Sequence, residues 1–281
     1  MLFRDILLAL TTYPEPTSAS ALDGAVALSV AVGARISAIA CEAKIPVPGT
    51  VLGRTLLNVP AMVAAELKKS AVNAEKLLAA FQDIAERNGV FQDRILEHCL
   101  TSEVSHVFID YARLHDLTIV PVPEGDHAQQ WYAESIIFGS GRPAIIFPQT
   151  HLRTDIALKT VIVAWDFGRP AARAVADALP LLEKAQRVFV ITVVNEKAFD
   201  TKRSGAELAK HLSRHGVNVV FDMVDAAGGS IGDVINSQVE SRNADLLVMG
   251  AYGHSRMREF ILGGATKSML ARPPAPVFVS H

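Results

Sequence analysis

Aromatic and sulfur-bearing residues are scarce in this chain: 6% of its 281 residues are Phe, Trp or Tyr, and two are cysteines. Cys41 and Cys99 stand far apart among apolar neighbours, with no metal-ligand spacing around them. That excludes a disulfide scaffold and a zinc module, and fits small buried thiols kept reduced in a cytoplasmic protein. The formal charge is only −2, so the basic excess that marks a nucleic-acid-binding chain is missing. Long apolar runs are lacking too. The opening "MLFRDILLALTT" carries an acid inside a short apolar run, which is neither a signal peptide nor long enough for membrane insertion.

Signatures of catalysis are also absent. No Gly-x-Ser-x-Gly elbow and no Gly-Lys-Ser or Gly-Lys-Thr phosphate loop occurs. "FGSGRP" flanks Ser140 with glycines, but without the spacing of a nucleophile site. His211 and His215, four apart on a predicted helix, could present two metal ligands on one face, yet no third ligand is evident. A solvated helix surface is the simpler reading, and no metal or catalytic residue is assigned.

What is present is a repeat. "DILLALTT" (5–12) parallels "TVIVAWDF" (160–167), which sets Thr11 opposite Asp166. Alanine-rich helical stretches follow both, then the strand-like "RISAIAC" and "RVFVITVV". "DLTIVPVPEG" parallels "DLLVMGAYG", and both copies close on an apolar strand behind a proline. The length suits two domains of about 130–150 residues, each beyond the size of a solenoid unit. The polar stretch "PQTHLRTDIALK" sets the division at 1–152 and 153–281.

Within the second copy, apolar runs of strand length alternate with helical patterns. Strands are predicted at 159–165, 187–194, 217–223, 245–250 and 276–279. Helices are predicted at 169–184, 203–214, 229–241 and 265–271. Strands apolar on both faces and separated by helices are βαβ units. The expected fold is α/β: two repeated, doubly wound domains, each with a five-stranded parallel sheet. The first copy adds a Pro- and Gly-rich insertion, 44–61, before a long helix predicted at 62–88. A loop tucked over its own domain, a dimer contact and a small-molecule lid all remain open for the insertion.

Gly250, Gly253, Gly263 and Gly264 fall within fifteen residues. Glycine inside an element costs roughly 1 kcal/mol relative to alanine, so such a cluster needs a reason. Gly250 ends a strand, at the sheet edge where α/β proteins bind ligands. Gly263 and Gly264 lead into a helix whose unpaired N–H groups suit a phosphate. Thr266 adds a hydroxyl near the helix start, and Asp166 a carboxylate at the tip of the first strand. The constellation reads as a nucleotide site. The plainer alternatives are a tight structural turn for the glycines and helix capping for Asp166.

The second copy resembles a universal stress protein domain, and the whole chain a tandem, two-domain member of that family. Nucleotide-binding members carry Gly, two residues, Gly, nine residues, Gly, then Ser or Thr. Here Gly250, Gly253 and Gly263 match, and Gly264 stands where the hydroxyl residue would be. By the same resemblance Asp166 and Val193 would contact the nucleoside. Met249 and Ala265 would supply flanking backbone contacts, and Thr266 a further phosphate-loop position. The resemblance implies an adenine nucleotide α-hydrolase-like fold, ATP with Mg²⁺ as cofactor, and a role in the stress response through an unidentified protein partner. It also implies pairing of the two domains about a pseudo-twofold axis, with homodimerisation a further expectation.

A slow ATPase or adenylate enzyme and a nucleotide-free adaptor are the competing functions. The first copy departs from the pattern. Thr11 replaces the aspartate, "PVPEG" replaces the first glycine pair and puts Glu124 opposite Gly253, and "FGSGRPAIIFP" suggests that the closing helix is missing. Those changes leave one expected site, in the second domain.

Overall fold

A computed structural model describes residues 3–44, 59–149, 158–194, 201–251 and 264–281. The N-terminal half runs β1 (Asp5–Leu10), α1 (Ala19–Val32), β2 (Arg35–Lys44), α2 (Val59–Arg87), β3 (Phe91–Leu100), α3 (Val104–Leu114), β4 (Leu117–Val122), α4 (His127–Gly139) and β5 (Ala144–Pro148). The C-terminal half repeats this order. It runs β6 (Thr160–Ala164), α5 (Arg169–Leu182), β7 (Arg187–Val194), α6 (Thr201–Arg214), β8 (Val219–Asp225), α7 (Ile231–Ser241), β9 (Leu246–Gly250), α8 (Gly264–Ala271) and β10 (Val277–Ser280).

The strands form one ten-stranded sheet in the order β3-β2-β1-β4-β5-β10-β9-β6-β7-β8. Each half is parallel throughout, and the halves meet where β5 pairs antiparallel with β10, Val277 opposite Ile146. The two expected five-stranded sheets are therefore continuous. Helices cover both faces. Ile6, Leu8 and Leu10 point into the apolar layer beneath α1, α2, α5 and α6, whereas Leu7 and Ala9 point into that beneath α3, α4, α7 and α8. This two-sided burial is why the central strands are apolar at every position.

Local chemistry sets the element ends. Ser18 caps α1 by accepting from the Ala21 N–H, and Gly33, at φ 73°, closes it in the left-handed conformation. Pro170 sits in the first turn of α5, where its missing N–H is harmless. The repeat is visible at the level of single atoms. Asp116 Oδ2 accepts from the Arg4 and Asp5 N–H groups at 2.9 and 3.2 Å. Asp245 Oδ2 accepts likewise from Lys159 and Thr160, at 2.7 and 2.9 Å.

Two expectations need correction. The first half does not lack its closing helix: α4 occupies the position of α8, and "FGSG" lies at its C-terminal end rather than before its start. The long helix of the first half begins at Val59, inside the stretch assigned to the insertion. Residues 45–58 of that insertion and the boundary at 152/153 lie outside the described residues.

Candidate functional site

In the C-terminal half the strand order reverses between β6 and β9, which pair through Val163 and Val248. At the carboxyl edge of these strands lie Asp166, Gly250 and the end of β7 with Val193. Gly264 begins α8, with Ala265 and Thr266 in its first turn. Gly253 and Gly263 lie outside the described residues, as does most of the segment between the glycines.

Asp166 is exposed, and its Oδ1 accepts from the Gly168 N–H at 2.7 Å. Gly168 is the N-cap of α5 and makes no side-chain cap of its own, so the carboxylate steadies the turn that starts this helix. Val193 is half-buried, and the neighbouring Thr192 hydroxyl donates to the Trp165 carbonyl at 3.1 Å, tying the ends of β6 and β7 together. Met249 is buried against the α7–α8 layer. Thr266 is 4% exposed, which covers the hydroxyl that the sequence offers to a phosphate.

The two described glycines of the motif differ in kind. A Cβ on Gly250 would stand 2.3 Å from the Ala171 nitrogen and 2.4 Å from the Pro170 carbonyl carbon. Gly250 thus lets the first turn of α5 pack onto the end of β9, a packing role the sequence did not reveal. A Cβ on Gly264 would meet nothing within 4 Å among the described residues. Gly264 stands at the start of α8, where N–H groups have no intrahelical partner.

The counterpart in the N-terminal half is closed. Thr11 donates its N–H to Thr17 Oγ1 at 3.0 Å, and the two hydroxyls lie 3.1 Å apart. Thr12 donates to the Cys41 carbonyl at 2.6 Å and lies 2.9 Å from the Ser70 hydroxyl on α2. The cavity left between Thr11, Cys41, Val104 and Tyr132 measures about 10 Å³, room for one water. Burial pushes the Cys41 thiol well above its usual range, with the adjacent Cys99 adding to the shift, and burial also raises the Tyr132 phenol. Both cysteines are free and buried.

Glu124 also has a different task from the one its position suggested. It pairs with Arg272, just beyond α8, at 2.6 Å, and the Gly125 N–H donates to the Ala271 carbonyl at 3.4 Å. The acid is thus a contact between the halves. Of the two histidines considered as metal ligands, His211 and His215 stack edge to face at 4.8 Å, and His215 lies 3.9 Å from Glu183. Among the described residues no group of three or more His, Cys, Asp or Glu side chains could hold a metal, and no helix is long and apolar enough to cross a membrane.

Residues 157–281 match the family model described as the Universal stress protein family. The second half of the chain is a universal stress protein domain. The first half repeats its fold. Across the whole chain the structure resembles a universal stress protein from Archaeoglobus fulgidus DSM 4304, with a TM-score of 0.69 and 20% identity, covering 98% of this chain and 95% of that one. A protein of unknown function from Pseudomonas aeruginosa PAO1 is similar over 99% of this chain and 92% of its own, with a TM-score of 0.54 and 14% identity. At these identities the likeness speaks for the fold of the tandem arrangement. None of the curated proteins matches the sequence significantly.

Proposed function

We propose that the C-terminal universal stress protein domain binds an adenine nucleotide, ATP with Mg²⁺, and that the bound state modulates an interaction with a protein partner in the cytoplasm. The observation that carries this reading is the start of α8: among the described residues nothing stands within 4 Å of a Cβ built on Gly264, and Asp166 and Val193 lie at the carboxyl edge of the same sheet. An unobstructed helix N-terminus accommodates an anion, and an exposed carboxylate nearby accepts from ribose hydroxyls. ATP would supply the charge that those N–H groups attract. Gly264 and Ala265, with Gly253 and Gly263 before them, would hold the phosphates, and Asp166 and Val193 the nucleoside.

The domain acts here as a binding module. The buried state of Thr266 and the packing role of Gly250 favour, as a second reading, a nucleotide-free adaptor. Calorimetric titration of the full chain with MgATP separates the two. Saturable binding is expected, and Gly264→Asp should weaken it strongly, because an acid at this open position faces the phosphates. The same substitution should leave the fold intact or stabilise it by about 0.3–1 kcal/mol, since an acid at a helix start is favourable. Absence of MgATP binding by the unmodified chain, together with no nucleotide released on denaturation, overturns the nucleotide reading and favours the adaptor.

A further inference from the structure

Two of the three residues that follow β6 depart from ordinary folding rules, and the third holds the turn between them. Trp165 is 8% exposed, yet its indole N–H is buried without an acceptor among the described residues. Asp166 turns back onto Gly168. Phe167 sits at φ 59°, a left-handed conformation that strongly disfavours a bulky side chain, and its ring is 71% exposed. Glycine would satisfy that backbone, and an ordinary surface turn would take it or asparagine. An aromatic ring held in a strained conformation, in water, next to the carboxylate of a candidate site, is a local cost with no return in packing.

The only ring contact of Phe167 among the described residues is with Trp165, at 6.1 Å and 70°. That edge-to-face contact holds the ring on its buried neighbour and leaves most of its surface open. The equivalent position in the closed N-terminal half is Thr12, whose hydroxyl is consumed by Cys41 and Ser70. The aromatic residue thus accompanies the half that carries the candidate site.

We infer that Phe167 is a base-stacking residue: its exposed ring packs against the planar heteroaromatic base of the nucleotide whose phosphates lie at α8. This rests on the nucleotide-binding reading above. It adds the group that selects a ligand with a base over a simple polyphosphate. Stacking of a base on an aromatic side chain is tolerant of base identity, so Phe167 contributes affinity while Asp166 and Val193 decide orientation.

Calorimetry on the full chain with two probes, MgATP and Mg-tripolyphosphate, tests it in Phe167→Gly and Phe167→Trp. Phe167→Gly relieves the left-handed strain, so it should melt no lower than the unmodified chain while binding MgATP about tenfold or more weakly. Tripolyphosphate, which has no base, should bind both alike, and Phe167→Trp should restore MgATP affinity. Unchanged MgATP binding in Phe167→Gly overturns the stacking role and leaves the nucleotide site standing. An equal loss for both probes also overturns it, since the substitution would then act through the loop. Failure of the unmodified chain to bind MgATP removes the site and the stacking role together.

Discussion

At the scale of single residues, glycines that look alike in a motif answer to different demands. Gly250 is required by the backbone of α5, which occupies the space a methyl group would need, whereas a Cβ on Gly264 meets none of the described residues within 4 Å. Gly250→Ala should therefore destabilise the protein by about 1–3 kcal/mol through overpacking, read as a lower denaturant midpoint at unchanged slope. Gly264→Ala should show no such loss, because no described residue stands where its Cβ would go. Equal effects of the two substitutions would mean that the contact between α5 and β9 is not what holds Gly250.

At the scale of elements, a single carboxylate sets the start of the first strand in each half. Asp245 is buried and accepts from two backbone N–H groups at the mouth of β6, joining it to β9, and Asp116 does the same between β1 and β4. Removing either acceptor takes a charged partner from two backbone N–H groups at the start of a strand. Asp245→Ala should cost about 1–3 kcal/mol, measured by denaturant unfolding, with a similar loss for Asp116→Ala. A loss in only one of them would show that the duplicated contact no longer does the same work in both halves. Helix α8 is itself a junction: Gly232 of α7 lies so close that a Cβ there would stand 2.9 Å from Ser268, and its C-terminal end meets the loop after β4. A ligand bound at its start, as proposed above, would act on an element already touching both halves.

At the scale of the whole molecule, the halves are joined by more than the β5–β10 pair. Lys184 donates to the Val32 carbonyl and, at 3.4 Å, to that of Ala31, capping α1 of the other half. Phe3 packs on Phe278 at 6.2 Å, and Phe138 on His281 at 5.0 Å. Across the same seam, burial raises the Glu134 carboxyl above its usual range, and Lys267 of α8 pulls it part of the way back. A carboxyl whose pKa is higher in the folded state than in the unfolded one favours folding below the unfolded value. That contribution is lost as pH rises through the folded value. Stability measured between about pH 4 and pH 7 should therefore fall less steeply with rising pH in Glu134→Gln than in the unmodified chain. Identical pH profiles would mean that this carboxyl is not strained at the seam.

The duplication, the strand–helix alternation and most element bounds were legible because they rest on local patterns. Doubly buried strands must be apolar at each position, and helices between them must show a buried stripe. The β7 prediction, 187–194, coincides with the strand observed, and the glycine spacing pointed to the domain that the family comparison identifies. Closing helix α4 was missed because its glycines, read as a loop before a strand, in fact end the helix. The joining of two sheets into one, the pairing of Glu124 with Arg272, the occupation of Gly250's free side by α5 and the left-handed exposure of Phe167 were decided only by the tertiary structure. Each depends on which distant backbone arrives beside a residue. A sequence states a residue's chemistry and periodicity, but not the atoms that fill the space around it.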